Sequence, residues 1–417
     1  MTTVVDVGGT HLRWASWSAG GGLRDRRSRP APSFRSHPSL PVTELRRLLV
    51  ETICAEVPHG AVAGVSFGAA MNQHNATVYA SAPLWGAHDE PFDLLGALRS
   101  VRSDVDWHVV NDVTAALLHV ASTRFATDRK VLLATISTGI ACRTLDRGRI
   151  PLDASGLQGE IGHLPAVAHL AGAPVVLHCD CGEPGHLAAY SSGRGIARMA
   201  DVLRQRRPQE WAASALADTG AAFERVFTAA VEAGDALAAE LLAAVTAPVA
   251  DVLRTALCLD PDLDRIVLTG GVATSFGGRY REALLAHLER TGLYLTSRYT
   301  PEWVADRIVV VGPGEADCLV GAGIAASAAA GAGASAGAVL GTRAVAVGTA
   351  GAGASAGAAT AAGAATVLST GTASVSTGAG AAAGAAAGVG TAAGVVTAGA
   401  GAVEAAVGAG AAGGGAG

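Results

Sequence analysis

The stretch GLQGEIGHLPA (residues 156–166), continued by HCDCGEPGH (residues 178–186), gathers ligand-type side chains in a glycine-rich frame. A carboxylate, Glu160, and an imidazole, His163, stand three residues apart. Two thiols then alternate as Cys179 and Cys181, and a second imidazole, His186, follows. Zinc takes nitrogen and sulfur ligands in a tetrahedron, and His163, Cys179, Cys181 and His186 form such a set. A metal on His163 would also fix Glu160, and a carboxylate fixed in a cleft holds hydroxyl groups by charge-assisted hydrogen bonds. The plainer alternative is a loop with incidental cysteines.

Outward from this cluster, the chain of 417 residues has room for two ordinary domains or one two-lobed unit. Its net charge of -5 leaves no basic footprint for nucleic acid. Six cysteines in so long a chain do not make a disulfide scaffold, and the N-terminus MTTVVDVGG lacks the basic and apolar regions of a signal peptide. The expected compartment is the cytoplasm. Residues 326–417 are almost entirely alanine, glycine, threonine, valine and serine, with only Arg343 and Glu404 as charges. Such a composition buries little surface and reads as a low-complexity tail. Its weakly apolar segment 388–403 makes a poor membrane span, so no membrane association is expected.

Hydrophobic patterning predicts strands at 2–7, 10–17, 61–67, 107–110, 131–136, 266–268 and 307–311. Helical spacing covers 42–57, 113–122, 192–204, 221–233, 236–257, 280–290 and 316–326. Residues 18–41, rich in Gly, Arg, Ser and Pro, read as an exposed loop. Strands that end in glycine turns and alternate with helices in two halves indicate α/β layering. The expected division is a small α/β lobe at 1–113 and a larger one at 114–325 that carries the cysteine cluster, with the last helix free to return to the small lobe.

Four further turns carry candidate chemistry. Gly8 and Gly9 open the backbone to a phosphate, Thr10 adds a hydroxyl, and Asp6 is placed to hold Mg²⁺ directly or through water. Asn111 and Asp112 sit where a strand passes into a helix, so Asp112 either faces a cleft or caps that helix. Thr138 and the Gly139 amide offer a second phosphate contact, and Gly270 with Gly271 suits the flat face of a base or ribose. Each of these turns taken alone is equally an ordinary tight turn.

The order Asp-Gly-Gly-Thr, Asn-Asp, Ser-Thr-Gly, Glu-x-x-His, cysteine cluster, Thr-Gly-Gly resembles the ROK family of sugar kinases, within the actin-like ATPase superfamily. The resemblance runs from Thr2 to Ser327, and its most specific piece is Gly159-Glu160-Ile161-Gly162-His163 with Cys179-x-Cys181-Gly182-x-x-Gly185. It implies a two-lobed, ribonuclease H-like fold with a cleft, ATP with Mg²⁺, a structural Zn²⁺, a small sugar-like or polyol acceptor, and a homodimer as a common assembly. It further implies Asp112 as the general base and Asn111, Glu160 and His163 as ligands of the acceptor ring. Gly8, Gly9, Thr10 and Thr138 would hold the phosphates. An aspartate of ordinary pKa suffices for this reaction, because the hydroxyl proton leaves late. Repressor members carry a DNA-binding domain ahead of the first glycine loop, for which the start at Asp6 leaves no room.

Three departures refine that picture. His186 replaces the family's third cysteine. Ser137, Ala141, Cys142 and Arg143 stand in a loop the family fills with glycine. Ala188 stands where the family's hexose kinases place a glutamate that grips the anomeric end of the sugar. Loss of that carboxylate removes about 1.5 to 3 kcal/mol of charge-assisted hydrogen bonding. This favours a carbasugar, and SFGAAMN (residues 66–72) with ASAPLWG (residues 80–86) resembles the C7-cyclitol 7-kinase subgroup, which serves aminocyclitol natural products. A glucokinase or other hexose kinase is the alternative within the class. A catalytically inactive sugar-binding regulator on the same scaffold is the alternative outside it.

Overall fold

A computed structural model describes residues 1–331 apart from 87, 89 and 301. The segment 388–403 and all of the alanine- and glycine-rich stretch beyond 331 lie outside the described residues.

The first strand, β1 (Thr2–Val7), turns back at Gly8–Thr10 into β2 (His11–Ser18), and β2 turns again into β3 (Gly22–Pro30). The expectation of a loop at 18–41 is therefore corrected, since Gly22–Pro30 is strand. Its side chains are almost all exposed, so no burial periodicity marked it; backbone hydrogen bonds to β2 hold it at the sheet edge. Arginines along such an edge also discourage a further strand from pairing there.

After the helix Val42–Ala55 comes β4 (Val62–Phe67), parallel to β1. Next stands a small three-stranded sheet of β5 (Ala70–Asn72), β6 (Thr77–Ala80) and β7 (Phe92–Asp93). β8 (Asp106–Asn111) pairs parallel to β4 and completes a five-stranded sheet in the order β3-β2-β1-β4-β8. Val5, Val7, Leu12, Val65 and Phe67 point from this sheet into a core shared with Leu45, Leu49 and Ile53 of the first helix.

The second half repeats the scheme. β9 (Lys130–Ile136) and β10 (Ile140–Asp146) form a hairpin, and β11 (Ala168–Leu170) and β12 (Ala173–Val175) make a small two-stranded sheet. β13 (Arg265–Thr269) and β14 (Ile308–Val310) then add in parallel to give the order β10-β9-β13-β14. The helix Ala236–Leu259 is long and apolar enough to cross a membrane, and most of its window is buried against the core of this half.

The helix Asp112–Ser122 packs Val113, Leu117 and Val120 on the second sheet, against Val131, Leu133 and Val267. The helix Cys318–Gly331 packs Leu319 and Ala322 on Val4, Ala15 and Trp17 of the first sheet. In each half the parallel strands end on one edge, which is where open α/β sheets bind ligands.

Candidate active site

Three parallel strands of the first sheet deliver their C-terminal residues to one edge. β1 leads to Gly8, β4 to Gly68, and β8 to Asn111 and Asp112. Asp112 Oδ2 lies against Gly68, where an added Cβ would sit 3.2 Å away. Its Oδ1 accepts the Val113 amide at 2.9 Å. Burial raises the Asp112 pKa to about 7, and the charges of Asp6 and Glu160 push the same way, against the Val113 hydrogen bond and Arg143. An ordinary carboxylate would suffice for the expected reaction, but here desolvation and two nearby carboxylates disfavour the ionised form.

Asn111 is the N-cap. Its Oδ1 accepts from the Val113 amide at 3.0 Å, and its Nδ2 donates to the Ala69 carbonyl at 3.0 Å. The buried amide thus ties β8, its helix and the segment after β4 together.

Asp6 is buried and fully partnered. Arg13, directly opposite it across the β1–β2 pair, donates from Nη2 at 2.6 Å and from Nε at 3.0 Å to Oδ2. Ser66 Oγ donates to Oδ1 at 2.8 Å. In the adjoining turn, the Gly8 amide donates to the His11 carbonyl at 3.0 Å. Gly9 is closed on by the short helix Ala82–Trp85, since a Cβ there would lie 2.2 Å from that of Pro83. Thr10 is exposed, 3.1 Å from His11 Nδ1.

At the matching edge of the second sheet, Thr138 and Gly139 form the exposed β9–β10 turn. The Ser137 carbonyl accepts from the Gly193 amide at 2.9 Å, which brings up the N-terminus of the helix Gly193–Arg206. Gly270 and Gly271 pass beside the same turn, and a Cβ on Gly271 would lie 3.7 Å from Ser137 Oγ. Exposed amides and a helix N-terminus at one place suit anionic phosphate.

Glu160 precedes the single helical turn Ile161–His163. Burial raises its pKa, opposed by Arg143. Arg143 Nη2 is 3.9 Å from Glu160 Oε1. The loop carrying Glu160 depends on Gly159, whose φ is +93° and whose Cβ would sit 2.0 Å from the Cys142 carbonyl. Asp112 therefore responds to Asp6 from its own sheet and to Glu160 and Arg143 from the other half of the fold.

His163, Cys179, Cys181 and His186 hold their ligand atoms within 4.8 Å of one another. Cys179 Sγ is 3.9 Å from His163 Nδ1, and Cys181 Sγ is 3.2 Å from His186 Nδ1. Two thiols and two imidazoles gathered this closely are a donor set that zinc takes. Behind it the Gly182 amide donates to the Cys179 carbonyl at 2.9 Å, and Asp180 pairs with Arg194 at 2.9 Å. All six cysteines are unpaired.

Residues 2–325 match the family model described as ROK family. The chain belongs to the ROK family. Its similarity to the 2-epi-5-epi-valiolone 7-kinase of an Actinoplanes strain is 57% identity over 333 residues, 78% of this chain and 93% of that protein. A C(7)-cyclitol 7-kinase of Streptomyces hygroscopicus subsp. jinggangensis is 31% identical over 345 residues, again 78% of this chain and 93% of the relative. Among solved structures, the ROK glucokinase of Streptomyces griseus, in complex with glucose and AMPPNP, superposes with a TM-score of 0.59 at 20% identity, covering 77% of this chain and 97% of the other. That likeness shows the shared fold, the actin-like ATPase architecture expected from sequence.

Within this ROK fold, Ala188 lies beside the Glu160–His163 turn, since a Cβ on Gly162 would approach its methyl group at 3.4 Å. The sequence marks Arg143 only as a departure from a glycine loop and gives Gln73 no distinguishing pattern, yet the Gln73 amide faces the buried Arg143 guanidinium. The available signal was an arginine inside an otherwise apolar strand, IACRTL, where a charge needs a buried partner.

Proposed function

We propose that this ROK protein transfers the γ-phosphoryl group of ATP to the 7-hydroxyl of a C7-cyclitol of the valiolone type. The observation that carries this reading is similarity at 57% identity, over 93% of the relative's length, to a 2-epi-5-epi-valiolone 7-kinase. Ala188 supports it, because a ring without an anomeric hydroxyl has no use for a carboxylate there.

In this reading the acceptor lies between Asp112 and Glu160. Asp112 accepts the hydroxyl proton as the oxygen attacks the γ-phosphorus in line, and ADP leaves with the electrons of the broken P–O bond. A base with a pKa near 7 is matched to that task at cellular pH. Glu160 and His163 hold ring hydroxyls, while Asn111 sets the helix from which Asp112 projects. Thr10, Thr138 and the amides of Gly8, Gly9 and Gly139 contact phosphates, and Gly270 with Gly271 lies against the nucleoside. Asp6, whose oxygens also accept from Arg13 and Ser66, would hold Mg²⁺ directly or through water. When bound, the cation neutralises phosphate charge. His163, Cys179, Cys181 and His186 would hold zinc, which would brace the turn that carries Glu160. Closure of a lobe at 1–113 on one at 114–325 excludes water from the reaction. The enzyme works on cytoplasmic ATP and supplies a phosphorylated carbasugar for aminocyclitol assembly.

The test is an acceptor screen with purified protein and MgATP, reading ADP release across valiolone- and valienone-type cyclitols, glucose and N-acetylmannosamine. Equal or better use of glucose would remove the cyclitol assignment. Asp112→Asn should lower turnover by about 10²- to 10⁴-fold and retain acceptor binding. A sugar sensor without catalysis would be indifferent to it.

A further inference from the structure

Arg143 is only 2 % exposed, yet among the described residues no carboxylate lies within hydrogen-bond distance of its guanidinium. Glu160 Oε1 stands 3.9 Å from Nη2. The charge is met by dipoles from several segments. Nη1 donates to the Cys142 carbonyl at 2.8 Å and to the Gln158 carbonyl in the loop that carries Glu160. With the Gln73 amide oriented to satisfy its neighbours, Oε1 accepts from Arg143 Nε at 2.9 Å and from Nη2 at 3.1 Å. The other end of that amide donates to the hydroxyl of Thr114, a fully buried residue two positions beyond Asp112.

A continuous chain of hydrogen bonds therefore links the helix opened by Asp112 to the loop that ends in Glu160, through Thr114, Gln73, Arg143 and Gln158. Burying a guanidinium in a core is costly and is sustained only where its fixed planar fork is fully used. A lysine has neither the fork nor the reach for several acceptors at once. We propose that Arg143 is a positioning residue for the phosphoryl acceptor, setting the gap between Asp112 and Glu160 across which the ring is held. This rests on the kinase reading above and adds a determinant of acceptor affinity that does not touch the acceptor.

The consequence is selective. Thr10, Thr138 and Gly139 lie outside the hydrogen-bond chain, so nucleotide affinity does not depend on it. The experiment measures kcat and both KM values for Arg143→Lys and Gln73→Leu, using MgATP and the best acceptor from the screen. Arg143→Lys should raise acceptor KM about tenfold, the usual worth of one charged hydrogen bond, with ATP KM held within about twofold. Gln73→Leu, which keeps the buried charge and cuts the link to Thr114, should raise acceptor KM about threefold with ATP KM again steady. An unmoved acceptor KM in folded Arg143→Lys, or a parallel rise in both KM values, overturns the inference. If Arg143→Lys does not fold, the same criteria apply to Gln73→Leu. Wild-type protein inert toward every acceptor would instead overturn the kinase reading and this inference with it.

Discussion

Arg13 sits directly across from Asp6 in the β1–β2 hairpin, with Nη2 2.6 Å from Oδ2, so the carboxylate beside the Gly8–Thr10 turn is already paired with a cation of the protein itself. Asp6 is one of the groups that raise Asp112, which makes Arg13 an indirect control on the proposed base. The carboxylate form of Asp112 accepts a proton and the acid form does not. kcat/KM should therefore fall as pH drops through about 7 and level off above it. Arg13→Gln leaves the Asp6 charge unopposed and should move this acid limb to higher pH. A pH profile of the variant that overlays the wild type would break the link between Asp6 and the base.

Ala188 stands against Gly162, next to the turn that bears Glu160. Ala188→Glu should improve glucose as an acceptor by about tenfold, the worth of a charge-assisted hydrogen bond to an anomeric hydroxyl. Turnover of the cyclitol should fall or stay level. Initial-rate measurements with both acceptors settle the matter, and an unchanged glucose rate would count against the account of this position.

The Cys₂His₂ set predicts one zinc per chain by metal analysis. Metal release should lower the melting temperature by about 5 °C or more, because the ligands tie the Glu160 loop to the segment before the helix Leu187–Ser191. His186→Cys should keep the metal, whereas His186→Ala should lose it and raise acceptor KM through the loosened Glu160. A metal-free protein with native stability would remove the structural role.

Gly159 adopts a backbone conformation that L side chains avoid, and an added methyl would collide with the Cys142 carbonyl. Gly159→Ala should cost at least about 2 kcal/mol and weaken acceptor binding. The check is a denaturant midpoint with acceptor KM on the same sample; a neutral midpoint would show that the loop shifts at no cost.

Much of this was legible along the chain. The strand-turn pattern at Asp6–Thr10, the strand leading to Asn111 and Asp112, and the Ser137–Gly139 turn are local features, read from apolar runs and glycine. The spacing of His163, Cys179, Cys181 and His186 announced a metal-type cluster because its members lie close in sequence. β3 was missed for a physical reason: an edge strand with both faces in solvent has no burial pattern to display. Asn111 as the cap in place of Asp112 was likewise invisible, because either residue type fills that role.

The sequence by itself determined the longer buried strands and helices, the order of the glycine turns, the donor set and the missing carboxylate at 188, since each is set by residue type and short spacing. Tertiary structure alone decided that Arg13 pairs with Asp6, that Asp112 titrates near 7, and that Arg143 links two halves of the site through Gln73. Those properties depend on burial and on partners far apart in the chain, and a charge acquires its strength only once folding has removed the water around it.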